Sequence, residues 1–244
     1  MSKHFLLVCE GQTDFFVIQN ISSVISKRIG KEIKITLLAP QKDATTNSYQ
    51  RHGWTEIRNW CRLYGNKTAA QLAALPPAVR NRVQRLSWKA LLAFNNADGL
   101  IIQLDTDIAE EIKDLPAFNP ASGHRREYCE GAVLTWLGEP TKPGSAYLAL
   151  TSYALEAWLL STYPRTDTVF SDLPAGFDYE DIEDLESRLI KLKCPSVSAT
   201  NGRRRLAKKE RYYHVHAKTI ADNLETVRGN CRSAEELCLH LEAP

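Results

Sequence analysis

Phe5-Leu6-Leu7-Val8-Cys9-Glu10-Gly11-Gln12-Thr13-Asp14 is the stretch that decides the fold class. Five residues suited to a buried strand run straight into a carboxylate and a glycine, and an apolar helical pattern starts behind them. From Thr13 to Arg28, the residues Phe15, Ile18, Ile21, Val24 and Ile25 recur at three- and four-residue steps, which predicts an amphipathic helix. Thr13 can cap its start, Asp14 in the first turn suits the positive end of the helix dipole, and Gly30 is a stop signal. Ile33 to Leu38 then reads as a second strand ended by Pro40. Strand, helix and strand in that order form the first unit of a parallel sheet.

The same arrangement returns about a hundred residues later. Leu100-Ile101-Ile102-Gln103-Leu104-Asp105-Thr106-Asp107 is another buried strand, from Gly99, ending in two acids one residue apart. Ligands of open α/β sheets bind at the carboxyl ends of the strands, so Glu10, Asp105 and Asp107 are expected to face one crevice. A helix from about Arg126 to Leu137 follows, with Tyr128, Ala132, Val133, Trp136 and Leu137 as its inner side. Ala146 to Leu150 reads as a fourth strand, and Ser152 to Tyr163 as a helix carrying Glu156 one turn in.

Between the second and third strands, residues 41–97 read as a helical insertion with two patterns. Trp54, Ile57, Cys61 and Tyr64 mark the first, and Val79, Val83, Leu86 and Leu91 the second, with Pro76-Pro77 between them. Its arginines, Arg51, Arg58, Arg62, Arg80, Arg82 and Arg85, are read as a solvated face rather than a binding surface. The last quarter differs in kind. An acidic helix is expected from Tyr179 to Lys193, with Ile182, Leu185, Leu189 and Leu192 inward, then a polar loop from Ser196 to Asn201. The strongly basic run Arg203-Arg204-Arg205-Leu206-Ala207-Lys208-Lys209-Glu210-Arg211 comes next, followed by helical patterns around Ile220, Leu224 and Val227 and around Leu237 and Leu241. The expected division is an α/β domain over residues 1–163 and a helical region over 164–244.

Composition sets bounds on function. With 244 residues, 43% hydrophobic and 25% charged, the chain can bury a substantial core of ordinary globular type. A formal net charge of +2 gives no overall pull toward nucleic acid, so any such role rests on local charge. The six cysteines are scattered without a Cys-x-x-Cys pair, which reads as free thiols in a reducing compartment rather than structural zinc. No signal peptide or membrane-length apolar run is visible, so a cytoplasmic protein is expected.

Carboxylates at strand ends supply the hard oxygens that Mg²⁺ or Mn²⁺ requires, and a chain that turns there lets both acids of an Asp-x-Asp reach one ion. Glu10 beside them reads as a metal ligand or as a general acid/base. The competing reading is that Asp105 and Asp107 cap a helix starting near Ile108 and that Glu10 merely ends a strand. The basic run has the composition of a phosphate-binding strip, with Tyr212, Tyr213 and His214 behind it as stacking rings, or of a solvated face. Lys208 or Lys209 can alternatively serve the site by neutralising a scissile phosphate. His214 and His216, read on one side of a strand or in a loop, are weak evidence for metal.

Glu10-Gly11 after the first strand and Asp105-Thr106-Asp107 after a later one resemble the two signature motifs of the Toprim fold. That fold is shared by type IA and type II topoisomerases, bacterial primases, OLD-family nucleases and small bacterial defence nucleases. Val8-Cys9-Glu10-Gly11-Gln12-Thr13-Asp14 is most similar to the last two groups, and Glu156-Ala157-Trp158 looks like an acid-x-Trp motif of small Toprim-like proteins. The resemblance covers roughly residues 1–163. It implies a Rossmann-like parallel sheet of about four strands flanked by helices, and a metal-dependent phosphodiesterase or nucleotidyl-transfer site. Glu10 would be the general acid/base and a possible ligand, Asp105 and Asp107 would hold Mg²⁺ or Mn²⁺, and Asp14 and Glu156 would be candidates for a second metal. On the phosphate-strip reading of the basic run, Arg203, Arg204, Arg205, Lys208, Lys209 and Arg211 would contact nucleic acid. The expected function is a stand-alone nuclease of DNA or RNA, as effector of an anti-phage or toxin-like system. The alternatives are a non-catalytic Toprim-fold module docking on an ATPase partner, and primase-like nucleotidyl transfer. The insertion and the lack of a primase zinc region or topoisomerase tyrosine domain depart from the larger family members.

Overall fold

The computed structural model describes residues 2–41, 53–121, 123–198, 204–207 and 209–243. In chain order the elements are β1 (Lys3–Val8), α1 (Gln12–Ile29), β2 (Ile33–Ala39), α2 (Trp54–Tyr64), α3 (Ala69–Ala73), α4 (Pro77–Arg85), α5 (Trp88–Asn95) and β3 (Gly99–Asp105). A 3-10 segment, Thr106–Glu111, leads on to α6 (Arg125–Leu137) and β4 (Ala146–Thr151). The C-terminal part holds α7 (Glu156–Leu160), two 3-10 turns, α8 (Leu185–Lys191), β5 (Ser196–Ser198), β6 (Arg204–Leu206), α9 (Glu210–Asp222), α10 (Leu224–Asn230) and α11 (Arg232–Glu242).

The four long strands form one parallel sheet in the order β2-β1-β3-β4. β1 pairs with β2 from Lys3↔Ile33 onward and with β3 from Phe5↔Gly99 to Val8↔Ile102. The α/β class and the Rossmann-like layout expected from the sequence are therefore present. Strands this apolar have both faces buried, as parallel strands usually do. Leu6, Leu7, Val8, Ile101 and Ile102 have no exposed surface.

The chain divides by packing into two compact units, residues 1–11 with 31–150, and residues 12–30 with 151–244. The expected division at residue 163 followed chain order; by packing, the break falls after Leu150 and α1 belongs with the C-terminal part.

In the first unit one sheet face, Leu6, Val8, Leu100, Ile102, Leu104, Leu148 and Leu150, packs on α2, α5 and α6. Ile57, Trp60, Trp88, Val133 and Trp136 fill that layer, each large side chain contributing about 1.5–3 kcal/mol when fully buried. Among its described residues the insertion has four helices instead of two. Ser87 accepts a hydrogen bond from the Ala90 amide and starts α5, which cuts the second expected pattern in two. Val79 and Leu86, which mark that pattern, are exposed.

In the second unit α1 packs on α9 and α11, burying Val17, Ile18, Ile21 and Ile25. The expected helix over Tyr179–Lys193 is a 3-10 turn, Tyr179–Asp181, followed by α8. Asp178 accepts a hydrogen bond from the Glu180 amide and starts the turn, and a fresh helix start at Asp184 separates it from α8. Ser196–Ser198, expected as loop, pairs antiparallel with Arg204–Leu206. His214 and His216 lie within α9, not on a strand or loop.

Candidate active site

Sheet order fixes where a site can form. From β1 the chain crosses to β2 on one side, then returns past β1 to β3 and β4 on the other. The connections therefore diverge between β1 and β3, and a crevice opens at such a switch point at the carboxyl ends of the strands. Glu10 stands two residues beyond the end of β1, and Asp105 is the last residue of β3.

These two acids meet. The Asp105 amide donates to Glu10 Oε1 at 2.8 Å. Gln103, with no exposed surface, bridges both: its Nε2 donates to Asp105 Oδ1 at 2.9 Å, and its Oε1 accepts the Glu10 amide at 3.2 Å. The Glu10 carbonyl accepts from the Gly53 amide at 2.7 Å, at the start of α2. Asp105 makes no side-chain cap bond to the 3-10 segment behind it, so the capping explanation fails for this residue. Asp107 is exposed in the first turn of that segment. Burial pushes the Cys129 thiol up to about 12, with Arg125 opposing and the Asp107, Glu10 and Glu110 carboxylates adding to the rise.

The segment behind the acids is anchored. Trp54 Nε1 donates to Glu111 at 2.9 Å, Trp136 Nε1 donates to Asp114 at 3.1 Å, and Arg125 pairs with Glu110. Arg62 and Arg58 also pair with Asp114, Arg58 at 3.6 Å. Two arginines expected on a solvated face are thus fasteners for the loop that follows the acids.

Asp14 and Glu156 belong to the other unit. Asp14, in the first turn of α1, is buried, and Glu156 is the first residue of α7 instead of one turn in. Both act on Tyr213 of α9. Burial raises its hydroxyl, Asp14 and Glu156 raise it further, and a hydrogen bond with Thr13 opposes them. Among the described residues, no group of three or more His, Cys, Asp or Glu side chains is placed to hold a metal ion. Asp105, two residues before Asp107, forms a bonded pair with Glu10, while the charges of Asp14 and Glu156 both raise the Tyr213 pKa.

Of the basic run, Arg203 and Lys208 lie outside the described residues. Arg204 and Arg205 are exposed on β6, Arg204 bonded to Ser196 Oγ at 2.5 Å. Lys209 is exposed at the start of α9, and Arg211 lies over the Tyr212 ring at 4.6 Å. His214 packs against Phe16, ring centroids 4.0 Å apart, and burial lowers the His216 pKa.

Gln103 is the functional candidate that the motif reading passed over. Its signal was one amide in an otherwise apolar strand, since a buried amide must find partners. A cavity of about 510 Å³ in the second unit, lined by Arg165, Phe177, Asp178, Asn230 and Arg232 among others, contains none of these acids. All six cysteines are free. Among the described residues no helix is long and apolar enough to cross a membrane. No family model, no curated protein and no solved structure matches the chain.

Proposed function

We propose that this chain is a Toprim-type, Mg²⁺- or Mn²⁺-dependent phosphodiesterase that cleaves DNA or RNA. The observation carrying the proposal is the bonded pair Glu10 and Asp105 at the carboxyl ends of β1 and β3, on either side of the point where the strand connections diverge. The donor set fits a hard cation, because Mg²⁺ commonly takes one or two carboxylates and completes its shell with water and phosphate oxygens. Asp105 and Asp107 supply those carboxylates. A bound ion would neutralise charge on the phosphoryl oxygen. Glu10, joined to Asp105 through the latter's amide, is the group that would move a proton at the attacking or leaving oxygen. Asp14 and Glu156 are candidates for a second metal, and Arg203, Arg204, Arg205, Lys208, Lys209 and Arg211 for gripping the phosphate backbone. Lys208 and Lys209 are also candidates for neutralising the scissile phosphate.

The experiment is divalent-metal-dependent cleavage of single- and double-stranded DNA and of RNA by the full chain. Glu10→Ala should cost about 10²–10⁴-fold in rate, and Asp105→Ala with Asp107→Ala should abolish cleavage, each with an unchanged circular dichroism spectrum. Cleavage that survives both changes refutes the assignment. No cleavage by the unaltered chain, together with a stable complex with an ATPase, would move the fold to a docking role, and consumption of nucleoside triphosphates would move it to nucleotidyl transfer.

A further inference from the structure

Buried amides in strand interiors are rare because both polar ends must be satisfied without water. Gln103 satisfies both ends on the two residues that carry the proposed chemistry. It accepts from the Glu10 main chain and donates to the Asp105 side chain, and the Asp105 main chain donates to the Glu10 side chain. These three bonds make a ring of contacts across the β1–β3 boundary. Each acid is thereby held through one of its own side-chain oxygens and one main-chain amide. The alternatives for that volume, Leu or Ile as at its strand neighbours, would fill the space and hold neither acid.

We propose that Gln103 is the positioning residue of the acid pair, fixing the separation and orientation of Glu10 and Asp105 so that a divalent cation held by Asp105 meets an acid/base already in place. The proposal rests on the reading of Asp105 as a cation ligand and of Glu10 as the acid/base beside it. Groups behind the first ligands typically govern metal affinity by orienting the ligands, and a preorganised pair avoids the cost of ordering two side chains on binding.

Gln103→Met keeps the length and most of the volume while removing donor and acceptor. Gln103→Asn keeps both but shortens the reach by one methylene. The metal-free full chain is first followed by amide hydrogen exchange at Glu10 and Asp105, and Mn²⁺ binding is then titrated by calorimetry. In Gln103→Met, both amides should exchange about tenfold faster or more, and Mn²⁺ affinity should fall by about 10–100-fold. Its melting temperature should stay closer to that of the unaltered chain than Gln103→Asn does, because Asn leaves a void and Met does not. Where cleavage is measurable, the loss should fall on kcat with KM little changed, an outcome that a space-filling role would not produce. Unchanged exchange at both amides in Gln103→Met overturns the proposal, as does Mn²⁺ affinity unchanged in a chain that binds the ion. If the unaltered chain binds no Mn²⁺ while the Met variant loses protection at both amides, the positioning role stands and the cation reading of the acids falls.

Discussion

Glu180 is a buried carboxyl whose oxygens accept from the Arg232 amide at 2.8 Å and from the Ser233 amide at 3.1 Å, with the Ser233 hydroxyl bonded as well. It caps the start of α11 from outside the helix, and Trp158 Nε1 donates to the same Ser233 hydroxyl at 2.8 Å. Burial raises the Glu180 pKa above 4.5, outweighing the hydrogen bonds from Ser233 and Arg232. The folded state therefore holds its proton more tightly than the unfolded state does. Stability is greatest below the usual carboxylate pKa and declines as pH rises through the shifted value. Glu180→Gln should flatten that decline, so its melting temperature should gain on the unaltered chain as pH is raised from about 4 to about 7. Equal pH profiles would show that the cap bonds cancel the effect of burial and leave no net shift. Glu180→Ala should cost about 2 kcal/mol in urea unfolding, because it strands the Ser233 hydroxyl and two amides. At this scale much was legible: Glu10 and Asp105 were readable as acids ending apolar strands. The bond between them was not, because pairing register and side-chain direction are set by packing across ninety-five positions of sequence.

Helices and turns show where periodicity stops being informative. The strands of the sheet were readable because continuous apolar runs flanked by Gly, Pro and acids leave few alternatives. The insertion was not, because its helices are short and end on local hydrogen bonds that an apolar pattern does not register. Ser87 is one such terminator, and Ser87→Ala should lower stability by about 1 kcal/mol, seen as a shift in the urea midpoint at constant slope. Gly138 is another. It ends α6 in the left-handed conformation at φ 65°, and a Cβ there would overlap the Asn66 carbonyl, where the Asn66 amide donates to Leu137 at 2.7 Å. Gly138→Ala meets both strain and overlap, so a loss of about 2 kcal/mol or more is expected from the same measurement. In the second unit, the acidic helix failed as an expectation because its apolar spacing runs unbroken through Ile182, where the chain is extended between the 3-10 turn and α8.

For the whole molecule, a net charge of +2 leaves any polyanion binding to local cations. Arg204 and Arg205 sit side by side on β6, with Lys209 and Arg211 farther along. If this strip grips phosphates, replacing both Arg204 and Arg205 with alanine should weaken binding to all sequences alike and reduce the slope of log affinity against log salt by about 2. Filter binding or fluorescence anisotropy over a salt series reads this directly, and an unchanged slope would remove the strip from the interface.

The partnership of α1 also governs the order in which the chain can mature. The helix, with Val17, Ile18, Ile21 and Ile25 buried on its apolar side, is made well before its partners α9 and α11. Until α9 and α11 follow, the nascent chain carries the helix without these partners, which is the interval in which a holdase chaperone has something to grip. Stalling translation shortly before Glu210 should therefore yield a nascent chain that such a chaperone retains, while release of the finished chain ends that retention.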